Sequence, residues 1–157
     1  MSKETIKNIK ERRSVRKYID KKIPKEILEE IIDCARLAPI TDDEIKSKIA
    51  SFARYGKFIE EAGACIAVLV NQDKATSPLQ DASAATENIM IAAKSNNLGT
   101  CWVNSYQKEH SKKFKKLVNC PQNMELMTLM SVGYYDEDDI NMPAKKSLSE
   151  VMVWNQF

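Results

Sequence analysis

The amino-acid sequence predicts a mixed α/β or α+β domain in which helices surround a small sheet. Helical hydrophobic patterns come first, short apolar runs typical of buried strands follow near residues 64–70, 100–104 and 126–132, and helical patterns separate these runs. The chain has 157 residues, a length typical of one domain, so we expect a single domain over residues 1–157.

Three helices are predicted before the first strand. Residues 3–12 have an amphipathic pattern, a second pattern begins after Pro24 and is ended by Pro39, and a third follows residue 41. The apolar positions that define them are Ile6 and Ile9 in the first, Ile27, Leu28, Ile31 and Ile32 in the second, and Ile45, Ile49 and Phe52 in the third.

Strands and helices alternate in the rest of the chain. The uninterrupted apolar run at residues 64–70 predicts a strand covered on both faces. An alanine-rich helix is predicted from Pro78 to about Asn97, where Asn97-Leu98-Gly99 suits a helix C-cap. Phe114 marks a lysine-rich surface helix, and Ser147-Leu148-Ser149-Glu150 is the pattern of a capping box that opens a short final helix.

Composition argues against several classes of function. The net charge of +2 does not favour a nucleic-acid binder, and no apolar run is long enough to span a membrane. The cysteines form no CxxC pair and His110 is the only histidine, so we expect no metal site, reduced thiols and a cytoplasmic location. His110 lies in a polar, lysine-rich stretch and is predicted to be a surface residue. With so few acid–base candidates, the chain either is no enzyme or uses the chemistry of a cofactor.

Basic clusters occur near both ends of the chain. The first is Arg12-Arg13-Ser14-Val15-Arg16, and the second is Lys145-Lys146. Such clusters can be solvated surface, since cations are favourable at a helix C-terminus. They can also hold a phosphate through guanidinium and hydroxyl groups. If residues 14–18 are extended, Ser14, Arg16 and Tyr18 share one face.

Several segments of the chain, in their order along the sequence, resemble segments of the nitroreductase-like flavoproteins. They cover residues 9–18, 31–39, 81–93, 97–105, 132–134 and 145–151, and the match is strongest in Asn97-Leu98-Gly99-Thr100-Cys101-Trp102-Val103-Asn104-Ser105. The set spans nearly the whole chain. It implies an α+β nitroreductase-like fold, with a central mixed or antiparallel sheet surrounded by helices.

The resemblance implies FMN bound at the interface of a homodimer. Arg12 and Ser14 match the family's contacts to the flavin phosphate and ribityl chain, with Arg13 beside them. Arg16 matches the cation near N1 and O2 of the flavin ring. A fixed cation is favourable there because two-electron reduction leaves negative charge at that position.

Other parts of the implied site lie later in the chain. Trp102, Val103, Asn104 and Ser105 match the strand that passes the flavin ring, with a backbone N–H near Asn104 directed at N5. Trp102 and Val103 can also be ordinary core residues. Lys145 and Lys146 match the basic residues that close on the phosphate, and the helix of residues 81–97 matches the dimer core. No side chain is predicted to be catalytic.

The implied activity is a two-electron ping-pong reaction. NADH or NADPH would deliver a hydride to flavin N5, and a small acceptor such as a nitroaromatic or a quinone would then take two electrons at the same face. Two alternatives stay open. One is a flavin-binding protein without turnover, for storage, sensing or delivery, and the other is a small interaction domain whose basic clusters are solvated.

One segment departs from the family pattern. After Ala38-Pro39 the family continues with an Asn-x-Gln-Pro-Trp-like stretch and a strand, but this chain continues directly with Ile40-Thr41-Asp42. We therefore expect one strand to be missing after Ile40. This stretch contributes flavin and substrate contacts in the family, and its absence is the reason for considering a protein without turnover.

Overall fold

An antiparallel sheet forms the centre of the molecule. Its strands are β1 (Ile40–Thr41), β2 (Ala64–Asn71), β3 (Gly99–Asn104) and β4 (Met124–Gly133), in the order β1-β2-β4-β3. All three pairings are antiparallel, and a single parallel bridge joins Ser14 to Thr100 of β3. The structure, a computed structural model, describes residues 3–35, 40–41, 43–53, 56–140 and 143–155.

Helices cover both faces of the sheet. They are α1 (Lys3–Glu11), α2 (Lys25–Asp33), α3 (Asp43–Phe52), α4 (Pro78–Ser95), α5 (Glu109–Leu117) and α6 (Leu148–Val151). On one face, Ile31 of α2 and Ile89 of α4 share a core with Ile66. On the other face, Ile49 of α3 and Phe114 of α5 share a core with Leu129. None of the described helices is both long and apolar enough to cross a membrane.

The predicted β2 strand is confirmed, and its position explains its composition. All of its residues except Asn71 are buried, because alternate side chains enter the two cores on opposite faces of the sheet. A strand covered by helices on both sides needs apolar residues at every position rather than at alternate ones. The α+β class with a helix-covered antiparallel sheet is therefore confirmed.

The predicted helix ends after α4 and before α6 are confirmed. Asn97 adopts a left-handed conformation with φ of 56°, and the N–H of Leu98 donates to the carbonyl of Ala93 at 2.9 Å, as in a Schellman-type C-cap. At α6, the backbone N–H of Ser147 donates to the Glu150 carboxylate at 2.8 Å, which is the reciprocal contact of a capping box.

Two expectations about the N-terminal half need correction. Helix α2 ends at Asp33, well before Pro39, and residues 36–39 lie outside the described part of the chain. The strand expected to be missing after Ile40 is present as β1, where Ile40 pairs with Ile66 and Thr41 pairs with Cys65. It is limited to two residues because α3 begins at Asp43.

The segment that follows α1 meets the outer edge of β3 at Ser14 and Val15. The N–H of Val15 donates to the carbonyl of Thr100 at 2.8 Å, and Val15 is buried. Gly99 allows this approach, since a Cβ at that position would lie 2.6 Å from Val15 Cγ2. This contact fixes where the first basic cluster lies relative to the sheet.

Tyr18 does not share a face with Ser14 and Arg16, contrary to the prediction from alternation. Its hydroxyl lies 2.6 Å from Ser131 Oγ and donates to the carbonyl of Val15 at 2.8 Å. Its ring packs where a Cβ on Gly133 would be, and burial raises the pKa of the phenol. The alternation of side-chain faces therefore does not continue to Tyr18, because the aromatic ring is more stable against the sheet than in water.

Candidate functional site

Two cavities meet at Arg16. The basic cavity, about 450 Å³ in volume, is lined by Ile9, Arg12, Arg13, Ser14, Arg16, Pro143 and Lys145. The strand-edge cavity, about 780 Å³ in volume, is lined mainly by Arg16, Phe52, Phe58, Cys101, Trp102, Val103, Asn104 and His110. Residues predicted from the two ends of the chain and from β3 thus line two adjoining spaces.

The basic cavity holds cations that converge on one carbonyl. Arg13 Nη1 donates to the carbonyl oxygen of Lys10 at 2.8 Å, and Lys145 Nζ donates to the same oxygen at 3.1 Å. Arg13 Nε is buried and has no hydrogen-bond partner among the described residues. No acidic side chain is among the described residues that line this cavity. Such an arrangement of like charges suits a bound anion.

The other predicted basic residues have different surroundings. Arg12 lines the cavity, but its Nε lies 3.2 Å from the Glu87 carboxylate on α4, and its Nη1 contacts the sulfur of Met90. Its charge is therefore partly compensated by α4. Lys146 is exposed and lines neither of these two cavities. The structure thus brings Arg13, Ser14, Arg16 and Lys145 together around the basic cavity and leaves Lys146 outside it.

The strand-edge cavity lies beside the unpaired edge of β3. The Thr100 carbonyl points outward to Val15, and Ser105 N–H points the other way, to the carbonyl of Met127 at 3.1 Å. Backbone groups alternate along a strand, so the N–H groups of Trp102 and Asn104 also point outward. The parallel bridge covers this edge only at Thr100. The backbone donors of Trp102 and Asn104 therefore face the cavity.

Side chains of β3 divide between the cavity and the core. Trp102 is 37% exposed at the cavity, whereas Val103 is only 8% exposed and belongs to the core beneath α3 and α5. Ser105 is fully buried, and its hydroxyl donates to the Val103 carbonyl at 3.1 Å, so it does not line the cavity. The predicted strand thus offers one exposed ring and two backbone donors to a ligand.

Arg16 is positioned by an aromatic ring. Its guanidinium carbon lies 6.0 Å from the centroid of Phe58, within the range of a cation–π contact. Burial raises the pKa of the neighbouring Cys101 thiol, and the charge of Arg16 and a hydrogen bond with Ser14 lower it in part. Arg16 therefore supplies positive charge at the place where the two cavities join.

The structure places His110 partly inside the wall of the strand-edge cavity, whereas the sequence predicted a surface residue. Its Nε2 lies 3.0 Å from Ser105 Oγ, and the ring is half-buried at the strand-edge cavity. Burial and the charge of Lys108 lower its pKa. The polar stretch around it gave no sign of this position, because only the packing of the first turn of α5 against the end of β3 places the ring there.

Sequence reasoning also missed most of the cavity's other walls. Phe52 comes from the end of α3, Phe58 from a 3₁₀ turn over Lys57–Ile59, and Lys108 and Glu109 from the start of α5. None of these residues belongs to a recognisable motif. Only the packing of three separate elements beside β3 brings them together.

Comparison with known proteins gives the family. The family described as "Putative TM nitroreductase" matches residues 4–156. The chain belongs to this nitroreductase family. The family and the nitroreductase-like enzyme class predicted from the sequence are therefore confirmed.

Curated relatives of this nitroreductase-family chain come from archaea. It is 33% identical over 154 residues to the "Putative NADH dehydrogenase/NAD(P)H nitroreductase" of Archaeoglobus fulgidus, with 87% of this chain and 88% of the relative covered. It is 29% identical over 151 residues to the protein of the same name from Methanothermobacter thermautotrophicus, with 86% and 79% covered.

Solved structures agree with the family fold. A "Putative NADH dehydrogenase/NAD(P)H nitroreductase" from Bacteroides thetaiotaomicron superposes with a TM-score of 0.88 at 25% identity, over 100% of both chains. An "FMN-dependent Nitroreductase" from Clostridium difficile superposes with a TM-score of 0.84 at 25% identity, over 97% of this chain and 99% of that one. The nitroreductase-like fold is therefore confirmed.

The lowered pKa of His110 predicts a pH dependence of stability. An unfolded histidine has its ordinary pKa of about 6.5, so below that pH the unfolded chain binds the proton more readily than the folded one. The stability that the neutral ring contributes is therefore complete above about pH 6.5 and is lost as the pH falls. We therefore expect the free energy of unfolding to fall more on acidification for wild type than for His110→Gln.

Urea unfolding of both proteins at several values from about pH 7.5 to 5.5 measures this difference, and acidic groups titrate mostly below that window. His110 is the only histidine in the chain, so the variant removes the only imidazole that titrates there. A difference that stays constant across the window would contradict the prediction.

Proposed function

We propose that the chain is an FMN-dependent oxidoreductase that uses NADH or NADPH to reduce small acceptors such as nitroaromatics or quinones, by two-electron ping-pong transfer. The observation that carries this proposal is the junction of the basic cavity with the strand-edge cavity at Arg16. Similar proteins support it, since one is named an FMN-dependent nitroreductase and another an NADH dehydrogenase/NAD(P)H nitroreductase.

The donor set fits FMN. In the basic cavity, Arg13 Nε is a buried donor without a hydrogen-bond partner in the described part of the chain, and the Arg13 guanidinium and the Lys145 ammonium share one acceptor. These groups and the Ser14 hydroxyl would hold the phosphate. The strand-edge cavity, with Trp102 and Phe58 in its walls, is suited to a planar aromatic ring. Arg16 lines both spaces and would lie between phosphate and ring.

Bound FMN would supply the two-electron chemistry, while the protein residues bind and orient the reactants. Arg16 would stabilise negative charge on the ring system, because its guanidinium is fixed at the cavity junction beside Phe58. The outward N–H groups of Trp102 and Asn104 would fix the height of the ring along β3. Aromatic walls would exclude water, and reductant and acceptor would use the same open space in turn.

One feature favours turnover over simple flavin storage. The strand-edge cavity of about 780 Å³ is large enough for a small organic molecule beside a ring. The third alternative, a small interaction domain, is not needed once the chain belongs to an enzyme family.

We also propose that the protein is a homodimer with the flavin at the interface. Ser83 and Ala84 are exposed on the outer face of α4, the alanine-rich helix predicted as dimer core. On α1, Ile6 and Ile9 are 48% and 49% exposed. Several large apolar side chains are exposed near the C-terminal end, namely Leu148, Val151, Met152, Val153 and Trp154. Apolar surface of this extent is typical of a protein interface.

Two further proposals concern the chain as a whole. None of the four cysteines, Cys34, Cys65, Cys101 and Cys120, is in a disulfide, which supports a cytoplasmic location. One central sheet lies between two cores, which supports a single domain over residues 1–157.

The function is tested by anaerobic reduction of the purified protein. We expect a yellow protein that releases FMN on denaturation, loses its flavin absorbance when NADH or NADPH is added, and regains it when a quinone is added. Bound FMN that neither nucleotide reduces would favour the storage alternative. A colourless protein that fails to bind added FMN would contradict both.

The basic cavity predicts different roles for two adjacent lysines. Lys145→Gln removes an ammonium that lines the cavity, so we expect the Kd for FMN to rise about tenfold or more, as for the loss of a charge-assisted hydrogen bond. Lys146→Gln makes the same change in charge outside the cavity and should raise the Kd by less. Flavin titration of the apoprotein gives both constants, and equal effects would contradict direct contact by Lys145.

The exposed face of α4 gives a test of the dimer. We expect wild type to have a mass in solution of about twice the 17.8 kDa of one chain. Ala84→Glu would place a charge in the proposed interface, so it should shift the protein towards the monomer and lower its FMN content. Ser51→Glu, on the exposed side of α3, is the matched control. Light scattering after gel filtration measures the masses, and a monomeric wild type would refute the homodimer.

A further inference from the structure

A second basic groove runs along α5 and adjoins the strand-edge cavity. It has a volume of about 580 Å³ and is lined by Lys108, Ser111, Lys112, Lys115 and Lys116, with Gln107 at one end and Glu125 at its side. Lys108 lines both this α5 groove and the strand-edge cavity. The groove and the cavity are therefore neighbours that share the Lys108 side chain.

Three of the groove's lysines carry uncompensated charge. Lys108, Lys112 and Lys116 are spaced four residues apart, which places them on one stripe of the helix. None of the three makes an ion pair with another described residue, whereas Lys115 pairs with Glu125 at 3.1 Å. Like charges at this spacing destabilise an isolated helix. The stripe is therefore unfavourable for the helix alone and is suited to binding an anion.

A buried hydroxyl gives an independent indication of a ligand. Ser111 lines the groove and is only 2% exposed, yet its Oγ has no hydrogen-bond partner in the described part of the chain. Buried polar groups in native proteins are nearly always hydrogen-bonded. A hydroxyl without a partner in the wall of a lysine-lined groove can donate to a phosphate oxygen after rotation about its χ1 angle.

We propose that the α5 groove binds the phosphate groups of the reducing nicotinamide dinucleotide. This inference rests on the proposed function, in which the nicotinamide ring occupies the strand-edge cavity. The dinucleotide carries its pyrophosphate beyond that ring, and NADPH carries one more phosphate on the adenosine ribose. From Lys108 to Lys116 the stripe extends about 12 Å along the helix, so it can follow such a ligand away from the ring.

The groove is distinct from the basic cavity. The basic cavity is formed by residues 9–16 with Pro143 and Lys145, and the two sites share no residue. Both adjoin the strand-edge cavity, one through Arg16 and the other through Lys108. The protein can thus hold the phosphate of its cofactor and the phosphates of its reductant at separate places while both rings meet in one cavity.

The test removes two lysines of the stripe from the FMN-loaded protein. In Lys112→Gln/Lys116→Gln we expect the Kd for NADPH, taken from the dependence of the anaerobic flavin-reduction rate on nucleotide concentration, to rise about tenfold or more. The matched control is Lys25→Gln/Lys48→Gln, which removes two lysines from exposed helix surfaces outside the groove. The control should change the Kd by less than about twofold. Calorimetric titration with adenosine 2′,5′-bisphosphate and with ADP gives a second readout that involves no electron transfer.

The comparison of nucleotides identifies the phosphate. A rise in Kd for both NADH and NADPH in the double variant would assign the groove to the pyrophosphate. A rise in Kd for NADPH alone would assign it to the 2′-phosphate. Either result supports the proposal. If the nucleotides still reduce the flavin, unchanged Kd values in the double variant would overturn the proposal. An equal rise in Kd in the control variant would overturn it as well. Failure of wild type to be reduced by either nucleotide would instead refute the proposed function, and with it the inference.

Discussion

The site depends on one backbone contact at the edge of the sheet. Val15 donates its N–H to the Thr100 carbonyl at 2.8 Å and packs its side chain over Gly99. This contact holds the segment of residues 12–16 beside the edge of β3. Arg13 then turns towards Lys145, and Arg16 turns towards Phe58 and the strand-edge cavity. A side chain at position 99 would push this segment away, because it would fill the space that Val15 occupies.

The position of this segment brings two cations close together, where they repel each other. Arg13 and Lys145 approach the same carbonyl oxygen, at the C-terminal end of α1, where the helix dipole is negative. The dipole compensates only part of their repulsion, and no described acidic side chain lines the cavity. The proposed phosphate would meet cations that already lie close together, which would lower the reorganisation needed when it binds. The same reasoning applies to the stripe on α5, where no described carboxylate pairs with Lys108, Lys112 or Lys116.

The described fold also leaves apolar surface that one chain does not cover. Ile6 and Ile9 give α1 its amphipathic pattern, yet both are about half exposed. The amphipathic pattern therefore indicates a face that avoids water without saying which surface covers it. With the exposed residues of α4 and of the C-terminal end, this face is best explained by a second copy of the chain, as proposed above.

The sequence by itself determined the family and, through the family resemblance, the α+β class of fold. Some features depend on local patterns, which are formed by residues that are neighbours in the chain. They are the apolar run of β2, the helix caps at Asn97 and Ser147, and the ordered motifs around Arg12–Arg16 and Trp102–Ser105. Other features could not be predicted from local patterns. They are the two-residue strand β1, the inward position of the Tyr18 ring and the half-burial of His110. Each depends on a contact between elements distant in the chain. Only the tertiary structure decided that Arg16 joins two cavities and that Lys146 lies outside both, because the chain must fold before residues from α1, β3, α5 and the C-terminal end can share one space.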